Sequence, residues 1–222
     1  MASLAATVGL LLLGAMIEGA MAEGQKLIAL PAPTAKGDVS VEEVLQRRRS
    51  VRDYSDGPLS LAEISQLLWA AQGITDGQGH RTAPSAGALY PLELFLVAGN
   101  VNGVADGVYH YQVDRHGLAA KASNDVRAAL AKAAFKQDWI ESAAAIVVIA
   151  AAYERTAGKY GKRAHRYVDM EAGHAAQNLF LQAEALGLGS VVVGAFDDDQ
   201  VAVAVDLPPG TIPLILMPIG RK

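Results

Sequence analysis

The chain predicts an α+β domain: a central mixed or antiparallel sheet flanked by helices, one of them long and buried. Three observations carry that expectation. Five short segments are apolar or alternate as strands do: 92–98, 107–113, 143–151, 190–196 and 212–220. A stretch of about 163–187 sets Val168, Ala172, Ala175, Ala176, Leu179, Ala183 and Leu186 on one face at helical spacing. Two Ser-x-x-Glu signatures, Ser40 to Glu43 and Ser60 to Glu63, mark the starts of shorter helices. These elements make layers around one core, and 222 residues suffice for a single sizeable domain.

Taken in order, residues 1–22 (MASLAATVGLLLLGAMIEGAMA) stand apart from the fold. Leu4 to Ile17 is apolar but too short to span a bilayer comfortably, and Ala20-Met21-Ala22 offers the pattern of a signal-peptidase site. No Lys or Arg precedes the run. The first reading is a cleaved export signal and an exported or periplasmic protein. The alternatives are a membrane anchor made by residues 1–22, or a cytoplasmic protein with a mistaken start or a buried helix. Residues 23–39, with Pro31, Pro33 and Gly37, read as a linker into a domain of residues 40–222.

The helix begun at Ser40 is short and runs into arginines. The one begun at Ser60 places Leu61, Ile64, Leu67, Leu68 and Ala71 toward a core. A glycine-rich loop then reaches Pro91. The segment 143–151 is apolar throughout, as a strand buried on both faces requires. Gly187 closes the long helix, and Asp197 is an N-cap for a last short helix that Pro208 and Pro209 stop.

Net charge is −4, which disfavours a general nucleic-acid surface. The absence of cysteine excludes disulfides, thiolate metal sites and cysteine nucleophiles. The five histidines lack metal-site spacing, so no metal is expected. No Walker A run or G-x-S-x-G elbow occurs. Redox chemistry here would need an organic cofactor.

One feature resists a bland reading. "LQRRRSVRDYS" concentrates Arg47, Arg48, Arg49 and Arg52 within six positions of an acidic chain. Taken alone it is either a solvated helix end or an anion site, where guanidinium forks and the Ser50 hydroxyl would suit phosphate. A second basic element, "MPIGRK", ends the chain with Arg221 and Lys222.

With "APSAGALYPLELFLV" and "KYGKRAHRYVDMEAGHAAQNLFLQAEALGLGSVVVGAF", these stretches resemble the FMN-dependent nitroreductase superfamily, most closely its SagB-type dehydrogenase branch. The resemblance runs from about Val41 to the last residue, and the joint order of the stretches makes it specific. It implies a nitroreductase-like fold in an interlocked homodimer with two FMN sites at the subunit interface. By that resemblance Arg48, Arg49 and Ser50 hold the phosphate and ribityl end, and Arg52 lies near flavin N1 and O2. Pro84, Ser85, Ala86 and Gly87 come from the second subunit to cover the ring. Val193, Gly194 and Ala195 line it near N5, and Arg221 closes on the phosphate. The alanines of the long helix suit either close approach across that interface or packing within the chain.

The implied chemistry is two-electron transfer through flavin N5, with NAD(P)H as a candidate reductant. Lys159 and Tyr160 match the Lys-Tyr pair of azoline-oxidising SagB-type enzymes, where the pair takes the substrate proton. The bland alternative is that Lys159 sits in a polar, basic loop. His174 and Gln177 either face the flavin or pack the helix. Three functions stay open: a SagB-type oxidoreductase acting on a small molecule or peptide-derived ring, an NAD(P)H-dependent nitro or quinone reductase, and a catalytically idle binding module. Export weakens the second, because NAD(P)H is not freely available outside the cytoplasm.

Overall fold

A computed structural model describes residues 27–222. The expected leader, 1–22, and the first residues of the expected linker, 23–26, lie outside the described residues. Among the described residues seven strands form one sheet: β1 (Leu27–Ala29), β2 (Leu92–Ala98), β3 (Gly107–Gln112), β4 (Gly117–Ala122), β5 (Ala145–Ala151), β6 (Leu188–Ser190) and β7 (Ile212–Arg221). Their spatial order is β1-β4-β3-β2-β5-β7-β6, and every neighbouring pair is antiparallel. Among the described residues six α-helices surround the sheet: α1 (Val41–Arg47), α2 (Leu61–Gln72), α3 (Arg127–Ala133), α4 (Glu154–Tyr160), α5 (Ala164–Ala185) and α6 (Asp198–Ala204).

Alternation along the strands sorts the core into two layers. Leu94, Leu96, Val147 and Ile149 pack against α2 and α5, with Leu67, Leu68, Val168 and Leu179. Phe95, Val97, Ile146 and Val148 face the other way onto α3 and α6, with Leu130 and Val201. A strand covered on both faces can afford no polar position, which is why β5 is buried throughout. Ala172, Ala175, Ala176 and Ala183 are buried in the first layer, so within the chain they let α5 lie close to the sheet. That corrects the interface reading of this face.

Both capping boxes form, with Ser40 and Ser60 each accepting from the glutamate N–H three residues on. Asp197 caps α6 through the Gln200 N–H, and Gly187 follows α5 at φ 71.

Three further departures have physical causes. Leu27–Ala29 are an edge strand on β4 rather than linker, and the strap beyond is tied down where the Thr34 N–H donates to Gln66 Oε1 at 2.9 Å. The stretch around Lys159, for which a polar loop is the alternative reading, contains α4, which lacks a side-chain N-cap and includes Gly158, so it gives little signal. The strand expected over 190–196 ends at Ser190. Continuing its register would pair Val191 with Pro218, which has no N–H to donate; the ladder resumes only at Val193, which exchanges both bonds with Leu216 at 2.9 Å.

Candidate active site

The arginine segment leaves α1 and crosses the ends of β6 and β7. Val51 N–H donates to Ser190 O at 2.9 Å, and Ser55 N–H donates to Arg221 O at 3.1 Å. The crossing is close because glycines lie beneath it. A Cβ on Gly189 would stand 2.7 Å from Val51, and one on Gly220 would stand 2.8 Å from the Tyr54 ring. Tyr54 itself donates back to Val51 O at 3.0 Å, which folds the segment over the sheet edge. Gly220→Val should therefore displace Tyr54 and cost about 1–3 kcal/mol as overpacking, read as a lower thermal midpoint.

The four arginines divide. Arg47 pairs with Glu43 one turn back at 3.0 Å and belongs to the helix. Arg49 donates to the Gln46 and Arg48 carbonyls, both at 2.9 Å, at the helix C-terminus. Arg48 lies 4.7 Å over the Phe180 ring and Arg52 lies 5.6 Å over the Trp139 ring. Among the described residues, no carboxylate pairs with Arg48, Arg49 or Arg52. Ser50 is exposed alongside them, and Ser190 Oγ nearby is buried without a partner. After Val193, Gly194 and Ala195 are exposed, with Ala195 O accepting from Gln137 Nε2 at 3.3 Å.

Arg221, expected to close on the phosphate, already has partners within the chain. Its fork is committed to Glu63, with bonds of 2.6 and 2.8 Å, and to Pro58 O at 2.7 Å. Glu63 also caps α2 through Ser60, so Arg221 ties the last strand to a helix start. Burial raises the Glu63 pKa, but Arg221 and Ser60 outweigh it and hold the carboxyl below its ordinary value.

A second cluster lies elsewhere on the chain. The loop Pro84–Ala88 turns through left-handed backbone at Gly87 (φ 65) and Ala88 (φ 54). Ser85 Oγ accepts the Tyr90 N–H at 2.9 Å and holds the turn. Lys159 and Tyr160 abut Gly87 so closely that a Cβ there would be 2.9 Å from Lys159 Nζ and 2.8 Å from Tyr160 Oη. Tyr160 also meets Tyr167 edge-on at 5.1 Å. Lys159 is exposed, and His174 joins this group whereas Gln177 does not line its cavity. Helix α5 carries both clusters: Glu171 lies beside Ser85, and Phe180 lies under Arg48. Those helix positions are nine residues apart, about 14 Å along the axis. The chain thus carries the expected site residues in two separate clusters.

Sequence reasoning missed two carboxylates behind the loop. Glu93 accepts from His110 at 2.6 Å and from Arg155, which also donates to Tyr90 O. Burial raises the Glu93 pKa, yet these partners bring it below the ordinary value. Its stabilising effect is thus fully present above pH 4.5 and is lost as pH falls through the lower folded value. Glu93→Gln should flatten the acid side of the stability curve measured by urea unfolding. Glu171 behaves oppositely. Burial pushes it up to about 7, against the opposing pull of Ser85 and Arg81. The folded state then holds the extra proton, so its contribution falls as pH rises between 4.5 and about 7. A lone Glu inside an Ala-rich helix face is the signal that would have found it.

The nitroreductase family model matches residues 45–221. The nitroreductase-named protein MJ1384 of Methanocaldococcus jannaschii is 48% identical over 185 residues, 83% of this chain and 92% of that protein. The microcin B17-processing protein McbC of Escherichia coli is 30% identical over 208 residues, 89% of this chain and 76% of McbC. Among solved structures, a nitroreductase-named protein of Ralstonia eutropha aligns with a TM-score of 0.78 and 29% identity, covering 89% and 90% of the two chains. The E. coli McbBCD microcin synthetase complex, with truncated pro-MccB17 bound, aligns with a TM-score of 0.67 and 27% identity, over 90% and 79%.

Proposed function

The chain belongs to the nitroreductase family and is an oxidoreductase of its flavin-using kind; from that premise we propose that it binds FMN and dehydrogenates a small, peptide-derived ring. The observation that carries the cofactor assignment is the set of three guanidiniums without a carboxylate partner among the described residues, beside an exposed Ser50 and the open backbone at Gly194. That donor set suits a phosphate with a flat, polar ring beyond it. Arg48, Arg49 and Ser50 would hold the phosphate and ribityl end. Arg52 would place a fixed cation beside the ring, favouring negative charge there. Arg221 is the weaker member of the set, because reaching a phosphate means leaving Glu63.

Bound FMN would supply two-electron chemistry at N5. Two half-sites about 14 Å apart on α5 support a homodimer in which Pro84–Gly87 of one copy meets the arginine segment of the other. Lys159 and Tyr160, already seated on Gly87, would then stand where a substrate loses its proton. The likeness to McbC, named for processing microcin B17, supports a peptide-derived substrate.

The test is an absorbance spectrum of the purified chain lacking residues 1–22, before and after anaerobic NADPH. Flavin bands are expected. Bleaching by NADPH assigns NAD(P)H as donor and favours a nitro or quinone reductase in the cytoplasm. Bands that persist fit an exported enzyme with another partner. A colourless protein that takes up no added FMN overturns the proposal and leaves a binding module.

A further inference from the structure

Between the Pro84–Ala86 loop and α5 lies a cavity of about 240 Å³, lined by Pro84, Ser85, Ala86, Tyr167, Met170, Glu171 and His174. Most of its wall is apolar or aromatic. Glu171 is only 2% exposed, and its Oε1 has no hydrogen-bond partner among the described residues. A buried carboxyl oxygen left unpaired costs about 1–3 kcal/mol, so its retention needs a reason. The Lys159-Tyr160 pair borders the same loop at Gly87.

We propose that this cavity is the subsite for the reacting ring of the substrate, and that Glu171 forms a hydrogen bond to an acceptor atom of that ring. This deepens, and rests on, the reading of the chain as a ring-oxidising enzyme. The polarity follows from counting protons. Ser85 Oγ already accepts the Tyr90 N–H, which leaves its own hydroxyl proton to the neighbouring Glu171 carboxyl. Glu171 Oε1, when protonated, is a donor with no acceptor among the described residues.

Burial keeps that proton on until about pH 7, with Arg81 the cation acting against it. The remaining titratable neighbours in the cavity wall, His174 and Tyr167, lie on α5 itself. A neutral, flat ring bearing an unprotonated nitrogen meets all the demands: apolar faces for Tyr167, Met170 and Pro84, and one acceptor for Glu171.

Thiazole is the probe, because its ring nitrogen accepts and stays unprotonated near neutral pH. Its affinity for the full chain as purified would be measured by calorimetry across a pH series, with flavin content read from the same samples. Wild-type binding should weaken as pH rises through about 7. Glu171→Gln keeps a donor that does not titrate, so its binding should persist and lose that pH dependence. Glu171→Leu should bind about tenfold more weakly, the worth of one lost hydrogen bond. Absent wild-type binding overturns the proposal, as does the same pH profile in wild type and Glu171→Gln. If Glu171→Leu fails to fold, the Glu171→Gln comparison decides alone. Flavin-bearing protein that ignores thiazole sinks only the subsite. Colourless protein that binds it at the expected pH sinks only the cofactor reading.

Discussion

Lys159→Ala is expected to slow oxidation of an azoline-bearing peptide by about 10²–10⁴-fold, the span a positioned general base contributes. Flavin content should not change, because Lys159 sits on the Gly87 turn, whereas the cationic set is Arg48, Arg49 and Arg52. Its side chain is exposed in the single chain, so removal leaves no buried hole and stability should hold. The measurement is steady-state turnover beside the flavin absorbance of the same preparation. Unchanged turnover would take the proton-accepting role away from Lys159. Tyr160→Phe, which removes only the hydroxyl against Gly87, separates proton transfer from ring packing on Tyr167.

The second large effect is expected from Arg48→Ala combined with Arg49→Ala. Each charge-assisted contact to a phosphate is worth about 1.5–3 kcal/mol, so losing two should weaken FMN binding about 10²–10⁴-fold. Among the described residues neither arginine pairs with a carboxylate, so the fold should survive. Arg221→Ala should read differently. It strands the Glu63 carboxylate at the start of α2 and should lower the thermal midpoint. Fluorescence titration with FMN and thermal unfolding, run on both variants, distinguish the two roles. Equal FMN affinity in wild type and the double variant would sink the phosphate assignment.

Much of the fold was legible because its signals are local. The Ser40 and Ser60 boxes, the Asp197 cap and the Gly187 stop each act within one helical turn, and all four appear where expected. The run over 145–151 is apolar on both faces because both faces are covered. What escaped notice depends on partners far along the chain. β4, GLAAKA, has little strand propensity and exists through its pairing with β3 and β1. The end of β6 is decided by Pro218, nearly thirty residues later, through a donor that proline lacks.

For the site, the sequence alone supplied the residue types expected there: an arginine segment, a small-residue loop, a Lys-Tyr pair and a terminal arginine, in an order that marks the family. Charge and backbone permissiveness are properties of the residues themselves, so they can be read without coordinates. Only the tertiary structure decided how those groups are spent. It stacks Arg48 and Arg52 on aromatic rings, commits Arg221 to Glu63, seats Lys159 and Tyr160 on Gly87 and leaves one Glu171 oxygen unpaired above a cavity. The reason is that a guanidinium or a carboxyl acquires its role from what desolvates it and what pairs with it. Those neighbours are brought together by the packing of distant segments.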